Sequence, residues 1–139
     1  MWRLKRRRKR ASSVTKHYVA NKEAARQLTH ERLLHFNQHY NLAWNRVAIR
    51  NQRRCWGSCS AKGNLNFSYK LLLLPPHLCD YIIVHELCHL KELNHGPQFW
   101  KLVAETVPDY KLRIKELKQI ERLGQSVLVL EKLKFTNLV

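Results

Sequence analysis

The stretch His85-Glu86-Leu87-Cys88-His89 is followed six residues later by His95. On an α-helix, residues four apart are separated by roughly 40° around the axis, so the imidazoles of His85 and His89 leave one face and can share an ion. Glu86, beside the first imidazole, stands where a carboxylate takes a proton from metal-activated water in hydrolytic zinc sites. His95 lies beyond the expected helix end at Asn94 and before Gly96 and Pro97, so it can fold back as a third ligand. The chemistry predicted is hydrolysis with one Zn2+ ion held by His85, His89 and His95, Glu86 being the catalytic base. A chain with 8 histidines also yields a pair four apart by chance. The weight of the pattern therefore rests on the carboxylate and the third imidazole together.

These residues need an element to carry them. From His77 to Leu93, the apolar residues Leu78, Ile82, Ile83, Leu87 and Leu90 cover much of a helix circumference, which predicts a largely buried helix. Pro76 suits its first turn. Uncompensated polar groups on such a helix cost several kcal/mol on an order-of-magnitude transfer scale, and a metal ion offsets that cost. A rival pattern, His30-Glu31 with His35, fails on geometry: residues five apart diverge by roughly 140° and cannot share an ion on one regular helix. Cys88 faces away from the side that carries His85 and His89.

Around this helix the chain predicts an α+β domain. Lys22 to Tyr40 is free of Gly and Pro, with Ala24, Ala25, Leu28, Leu33, Phe36 and Tyr40 forming a helical stripe behind Asn21 as N-cap. Alternation in Arg46-Val47-Ala48-Ile49-Arg50 predicts a strand, and Lys62-Gly63-Asn64 a turn between strands near 53–60 and 65–70. A small antiparallel sheet follows, whose edge can accept an extended peptide as an added strand. After Gly96-Pro97, a short helix over Gln98 to Val107 is anchored by Phe99, Trp100 and Val103. Asp109 caps another, with Tyr110, Ile114, Leu117, Ile120 and Leu123 on its stripe and Gly124 at its end. The segment from Val127 to Val139 is compatible with strand or helix.

With 139 residues, the chain is large enough for one core. Expected boundaries are a basic, disordered tail at 1–14, the catalytic domain at 15–124 and a C-terminal extension at 125–139. Lys and Arg number 26 against 10 Asp and Glu, a formal charge of +16. Seven of these charges, Arg3, Lys5, Arg6, Arg7, Arg8, Lys9 and Arg10, lie in the tail, leaving +9 for the rest. Such an excess favours polyanionic partners, nucleic acid first and anionic membrane second, through counterion release. Cys55, Cys59, Cys79 and Cys88 lack ribbon spacing and are expected as buried, reduced thiols. No secretory leader and no membrane-spanning run is expected, which points to an intracellular, cytoplasmic protein.

Several segments together resemble the YgjP-like metallopeptidase family, relatives of the SprT-like and WLM proteases within the zincin group. They are Ile49-Arg50-Asn51-Gln52, Trp56-Gly57-Ser58-Cys59-Ser60, Asp80-Tyr81, the run from His85 to Leu90, Asn94-His95-Gly96, Phe99-Trp100 and Pro108-Asp109-Tyr110. They cover about residues 28 to 122. The resemblance implies a zincin-like metalloprotease domain, a small antiparallel sheet packed against an N-terminal helix and the HExxH active-site helix. It also implies His85, His89 and His95 as zinc ligands and Glu86 as catalytic acid/base. Two departures stand out: Cys55 occupies the place of an Arg usual before Trp-Gly-Ser-Cys, and a basic tail stands where members carry further strand-forming sequence.

The expected function is peptide-bond hydrolysis by metal-activated water, with protein or peptide as substrate and Tyr110, Trp56 or a neighbouring Arg as oxyanion or substrate contacts. The charge and the SprT-like likeness point to DNA-associated proteins as substrates. The alternatives are a basic nucleic-acid-binding module with a structural or inactive zinc site, and a zinc hydrolase of non-peptide amides or esters. Against the module, a structural site is normally closed by a fourth protein ligand and needs no carboxylate at Glu86.

Overall fold

A computed structural model of the chain describes residues 13–52, 54–124 and 130. The expected basic tail, Arg53 and all of the C-terminal extension except Leu130 lie outside the described residues. The architecture is α+β. In order, α1 spans Ser13–Tyr40, β1 Arg46–Arg50, β2 Gly57–Cys59 and β3 Asn64–Ser68. A 3-10 turn at Tyr69–Leu73 leads into α2 at Pro76–His89, followed by α3 at Pro97–Ala104 and α4 at Tyr110–Arg122.

The first helix is longer than the periodicity predicts, starting at Ser13 and not at Lys22. Asn21 lies inside it and caps nothing; its side-chain amide donates to the His17 carbonyl one turn back, at 2.8 Å. Ala25 and Leu33 are buried, while Leu28, Phe36 and Tyr40 pack at the edge of the core, and Ala24 faces solvent. The helix ends where Asn41 takes a left-handed conformation, φ 52°, which Asn tolerates better than most residues.

The sheet has the order β1-β3-β2. The expected antiparallel pairing holds between β2 and β3, joined through a tight turn in which Gly63 has φ 80°. The pairing of β1 with β3 is parallel, Arg46 facing Asn64 and Arg50 facing Ser68, so the sheet is mixed and not antiparallel throughout. Alternation marks a strand but carries no information on its direction. Here β1 meets β3 and not its sequence neighbour β2. The strands are also shorter than expected: Tyr69 and Lys70 already belong to the 3-10 turn.

Helix α2 is the centre of the core. Leu78, Cys79, Tyr81, Ile82, Ile83, Val84, Glu86, Leu87, Cys88 and His89 are all buried along it. Pro75 precedes the helix and Pro76 opens it, its fixed φ suiting the first turn. On one side, α1 is tied to it by a two-pronged ion pair: Arg32 Nε donates to Asp80 Oδ1 at 2.7 Å and a terminal nitrogen to Oδ2 at 3.0 Å. Cys88 is buried on the Tyr40 side, away from the histidines, and burial pushes its thiol up to about 12. Cys79 is buried too, whereas Cys55 is exposed and Cys59 half-buried, so only two of the thiols fit the expected buried state. Leu130 is fully buried and belongs to the same core.

Ile83 is fully buried on α2. Ile83→Ala is expected to lower folding stability by about 2–5 kcal/mol, read from the denaturant midpoint, because the core around it is packed on several sides.

Candidate metal centre

The end of α2 decides the geometry. Its Leu-Lys-Glu-Leu continuation favours helix by composition, and the expected end lay near Asn94, yet the helix stops at His89. The Leu90 and Lys91 amides close tight turns onto the Leu87 and Cys88 carbonyls, at 3.1 Å each. The chain thereby reverses early enough for His95 to return. Gly96 then caps α3 and Pro97 opens it.

The result is a triangle of imidazole nitrogens. His85 Nε2 lies 3.1 Å from His89 Nε2, His89 Nε2 lies 3.0 Å from His95 Nε2, and His95 Nε2 lies 3.2 Å from His85 Nε2. Each neutral ring nitrogen holds one proton or one lone pair, so three such atoms cannot satisfy one another in a closed triangle. They fit one shared cation. Two nitrogens on a tetrahedral zinc ion, at about 2.0–2.1 Å from it, stand roughly 3.3–3.4 Å apart, a few tenths of an ångström from the distances present.

The other ring nitrogens support that reading. His89 Nδ1 lies 2.9 Å from the Glu92 carbonyl oxygen, which only accepts, so Nδ1 carries the proton and Nε2 offers its lone pair. His85 Nδ1 lies 3.1 Å from the Tyr81 hydroxyl, one turn earlier on α2. Burial, followed by the neighbouring imidazoles, lowers the His85 pKa to about 3, and burial likewise lowers that of His89. Both rings therefore stay neutral at physiological pH, as ligation requires.

Glu86 follows His85 on the helix and is buried, its Oε1 4.0 Å from His85 Nε2. Burial pushes its carboxyl up to about 7. The strand β2 passes directly over it: a Cβ on Gly57 would sit 3.0 Å from Glu86 Cγ and 3.1 Å from the Asn66 carbonyl oxygen. Gly57 is what lets the sheet approach the carboxylate this closely. The sequence held a signal for this in Trp-Gly-Ser-Cys, but not the partner.

Aromatic rings enclose the three histidines. Phe99, fully buried, stacks on His89 with centroids 4.3 Å apart and presents its edge to His85 and His95 at 5.0 and 5.1 Å. Trp100 stacks on His95 at 5.9 Å, and Tyr110 stacks on Trp100 at 4.9 Å. Spacing alone marked Phe99 and Trp100 as core anchors; their second role depends on the turn after His89. Tyr110, an expected substrate contact, is thus joined to the cluster through Trp100. Trp56 is buried and its indole N–H donates to Glu121 Oε1 at 3.1 Å, so that donor is already engaged. Together with Ile82, Leu117, Arg54 and Glu121 it lines a pocket of about 220 Å³ that opens beside His85 and Glu86. The rival pair lies on α1 and outside the cluster, His30 half-buried and His35 exposed. The candidate tail residues Arg3, Lys5, Arg6, Arg7, Arg8, Lys9 and Arg10 are outside the described residues.

Residues 3–120 match the model of the YgjP-like metallopeptidase domain. Among solved structures, the chain is similar to the metallopeptidase zymogen abylysin of Pyrococcus abyssi, at 25% identity and a TM-score of 0.60, over 66% of this chain and 92% of that one. It is also similar to the metallopeptidase zymogen jannalysin of Methanocaldococcus jannaschii, at 26% identity and a TM-score of 0.52, over 71% of this chain and 96% of that one. No curated protein matches the chain.

The raised Glu86 carboxyl sets a pH dependence of stability. In the unfolded chain it titrates near its ordinary value of 4.5 and in the fold near 7, so below about 4.5 both states are protonated and there is no penalty. Between those values stability falls with rising pH, by up to about 3 kcal/mol, and above 7 the penalty is constant. Metal-free Glu86→Gln is therefore expected to be more stable than metal-free wild type at pH 8 but not at pH 4. Contributions from the histidines cancel between the two proteins. A pH-independent difference in unfolding free energy would contradict the assignment.

Proposed function

The chain belongs to the YgjP-like metallopeptidase family, and from that membership we propose that it hydrolyses peptide bonds with one zinc ion held by His85, His89 and His95, Glu86 acting as general base. The observation that carries the reading is the convergence of the three Nε2 atoms beside a buried carboxylate. When bound, zinc supplies a Lewis acid that polarises a carbonyl and lowers the pKa of water to about 7. Glu86 accepts the proton of the attacking water at a carboxylate oxygen and returns it to the amine that leaves. Tyr81 and the Glu92 carbonyl hold the two helix-borne imidazoles in the orientation ligation needs.

The substrate's backbone is proposed to lie beside β2, whose outer edge is unpaired among the described strands, with a side chain entering the pocket walled by Trp56, Ile82 and Leu117. Tyr110 is the proposed donor to the oxyanion that forms on the substrate carbonyl. Chelation is expected to abolish hydrolysis of an unfolded protein substrate and added zinc to restore it. Glu86→Gln should retain zinc while losing at least about 100-fold in kcat, the usual scale for a general base. A zinc-loaded Glu86→Gln protein with wild-type turnover would overturn the mechanism; inactivity of both proteins would favour the binding-module reading.

The formal charge of +16 supports a narrower proposal, that proteins associated with DNA are the substrates and that DNA concentrates enzyme and substrate together. Added duplex DNA is then expected to raise the initial cleavage rate of a DNA-binding protein at low salt, with the gain shrinking steeply as salt rises. Rates unaffected by DNA at every salt concentration would exclude this substrate class. No described helix is long and apolar enough to cross a membrane.

A further inference from the structure

We propose that Trp100 and Tyr110 are positioning residues for the third ligand, fixing the His95 imidazole by ring stacking where hydrogen bonds fix His85 and His89. This rests on the reading of His95 as a metal ligand.

The three imidazoles are held differently. His85 and His89 project from α2, and each has its Nδ1 engaged, with the Tyr81 hydroxyl and the Glu92 carbonyl respectively. His95 sits between α2 and α3, is exposed, and makes no hydrogen bond through Nδ1 among the described residues. A ring so placed has two side-chain torsions free to turn its Nε2 away from the ion. Trp100 instead lies against it in an offset stack, with an interplanar angle of 23° and centroids 5.9 Å apart. Trp100 is supported from behind: its indole lies 4.9 Å from the Tyr110 ring at 14°, and Phe99 meets it edge-on at 4.8 Å.

Both supports are anchored. Phe99 is fully buried, and Tyr110 is the first residue of α4, whose Leu117 and Ile120 are buried. Near its end the same helix accepts the Trp56 indole N–H through Glu121. A column of rings, His95-Trp100-Tyr110, therefore runs from the cluster to a helix that is itself locked to the core. Stacked aromatic pairs within this range of centroid distance prefer defined orientations, so the column restricts the imidazole without contributing a polar partner.

The test is zinc affinity of the full chain, measured by competition with a chromophoric chelator, for Trp100→Leu, Tyr110→Leu and the ring-keeping Trp100→Phe and Tyr110→Phe, each with His95 present and with His95→Ala. Partners that orient a ligand typically matter by 10- to 100-fold in metal affinity, so each Leu variant is expected to weaken zinc about tenfold or more, the Phe variants much less. On the His95→Ala background the same substitutions should cost nothing further. The visible spectrum of the cobalt-substituted Trp100→Leu protein should move toward that of His95→Ala. Equal losses on both backgrounds, or unchanged affinity in the Leu variants, would overturn the proposal. Should Trp100→Leu fail to fold, the Tyr110 pair and Trp100→Phe decide it by the same comparison. If His95→Ala itself leaves zinc affinity intact, the ligand assignment falls; if it weakens zinc while the Leu variants do not, only the stacking role falls.

Discussion

Burial of polar side chains on an apolar helix is the constraint on which the rest of the structure depends. Helix α2 carries Glu86 and His89 at under a tenth exposure among Ile82, Ile83, Val84 and Leu87. In such surroundings a charged form is penalised, which keeps His85 and His89 neutral and raises the Glu86 carboxyl. Neutral imidazoles keep a lone pair free, which is the state the proposed ligation requires. One physical cause thus sets the charge state of both kinds of residue in the metal-free fold.

Each neighbouring element meets a consequence of that burial. Strand β2 approaches so closely that only Gly57 fits above Glu86 Cγ. Phe99 fills the space against all three imidazoles, and α4 closes the far side through Leu117 and the Trp56–Glu121 hydrogen bond. Helix α1 holds the opposite face through Leu33 and the Arg32–Asp80 pair. The histidine side of α2 is left as the one with both packed rings and an open pocket.

Much of the site was legible in residue types. The four-residue spacing of His85 and His89 specified a shared face, because helix geometry is a local property that spacing alone expresses, and the adjacent Glu86 and later His95 marked that face as a candidate site. The same geometry sets His30 and His35 on diverging faces of α1. The apolar circumference of α2 likewise announced its burial, and alternation located β1 and β3.

What the sequence by itself determined was therefore which residues could act together on one element, and the family whose pattern they follow. Tertiary structure alone decided where α2 stops, that β1 runs parallel to β3, and that Trp100, Tyr110 and Phe99 gather on the imidazoles. The reason is physical. A helix end after His89 is set by competition between a helix-favouring composition and the return of His95, and strand direction and ring stacking arise between segments far apart in the chain. Neither leaves a period in the sequence from which it can be read.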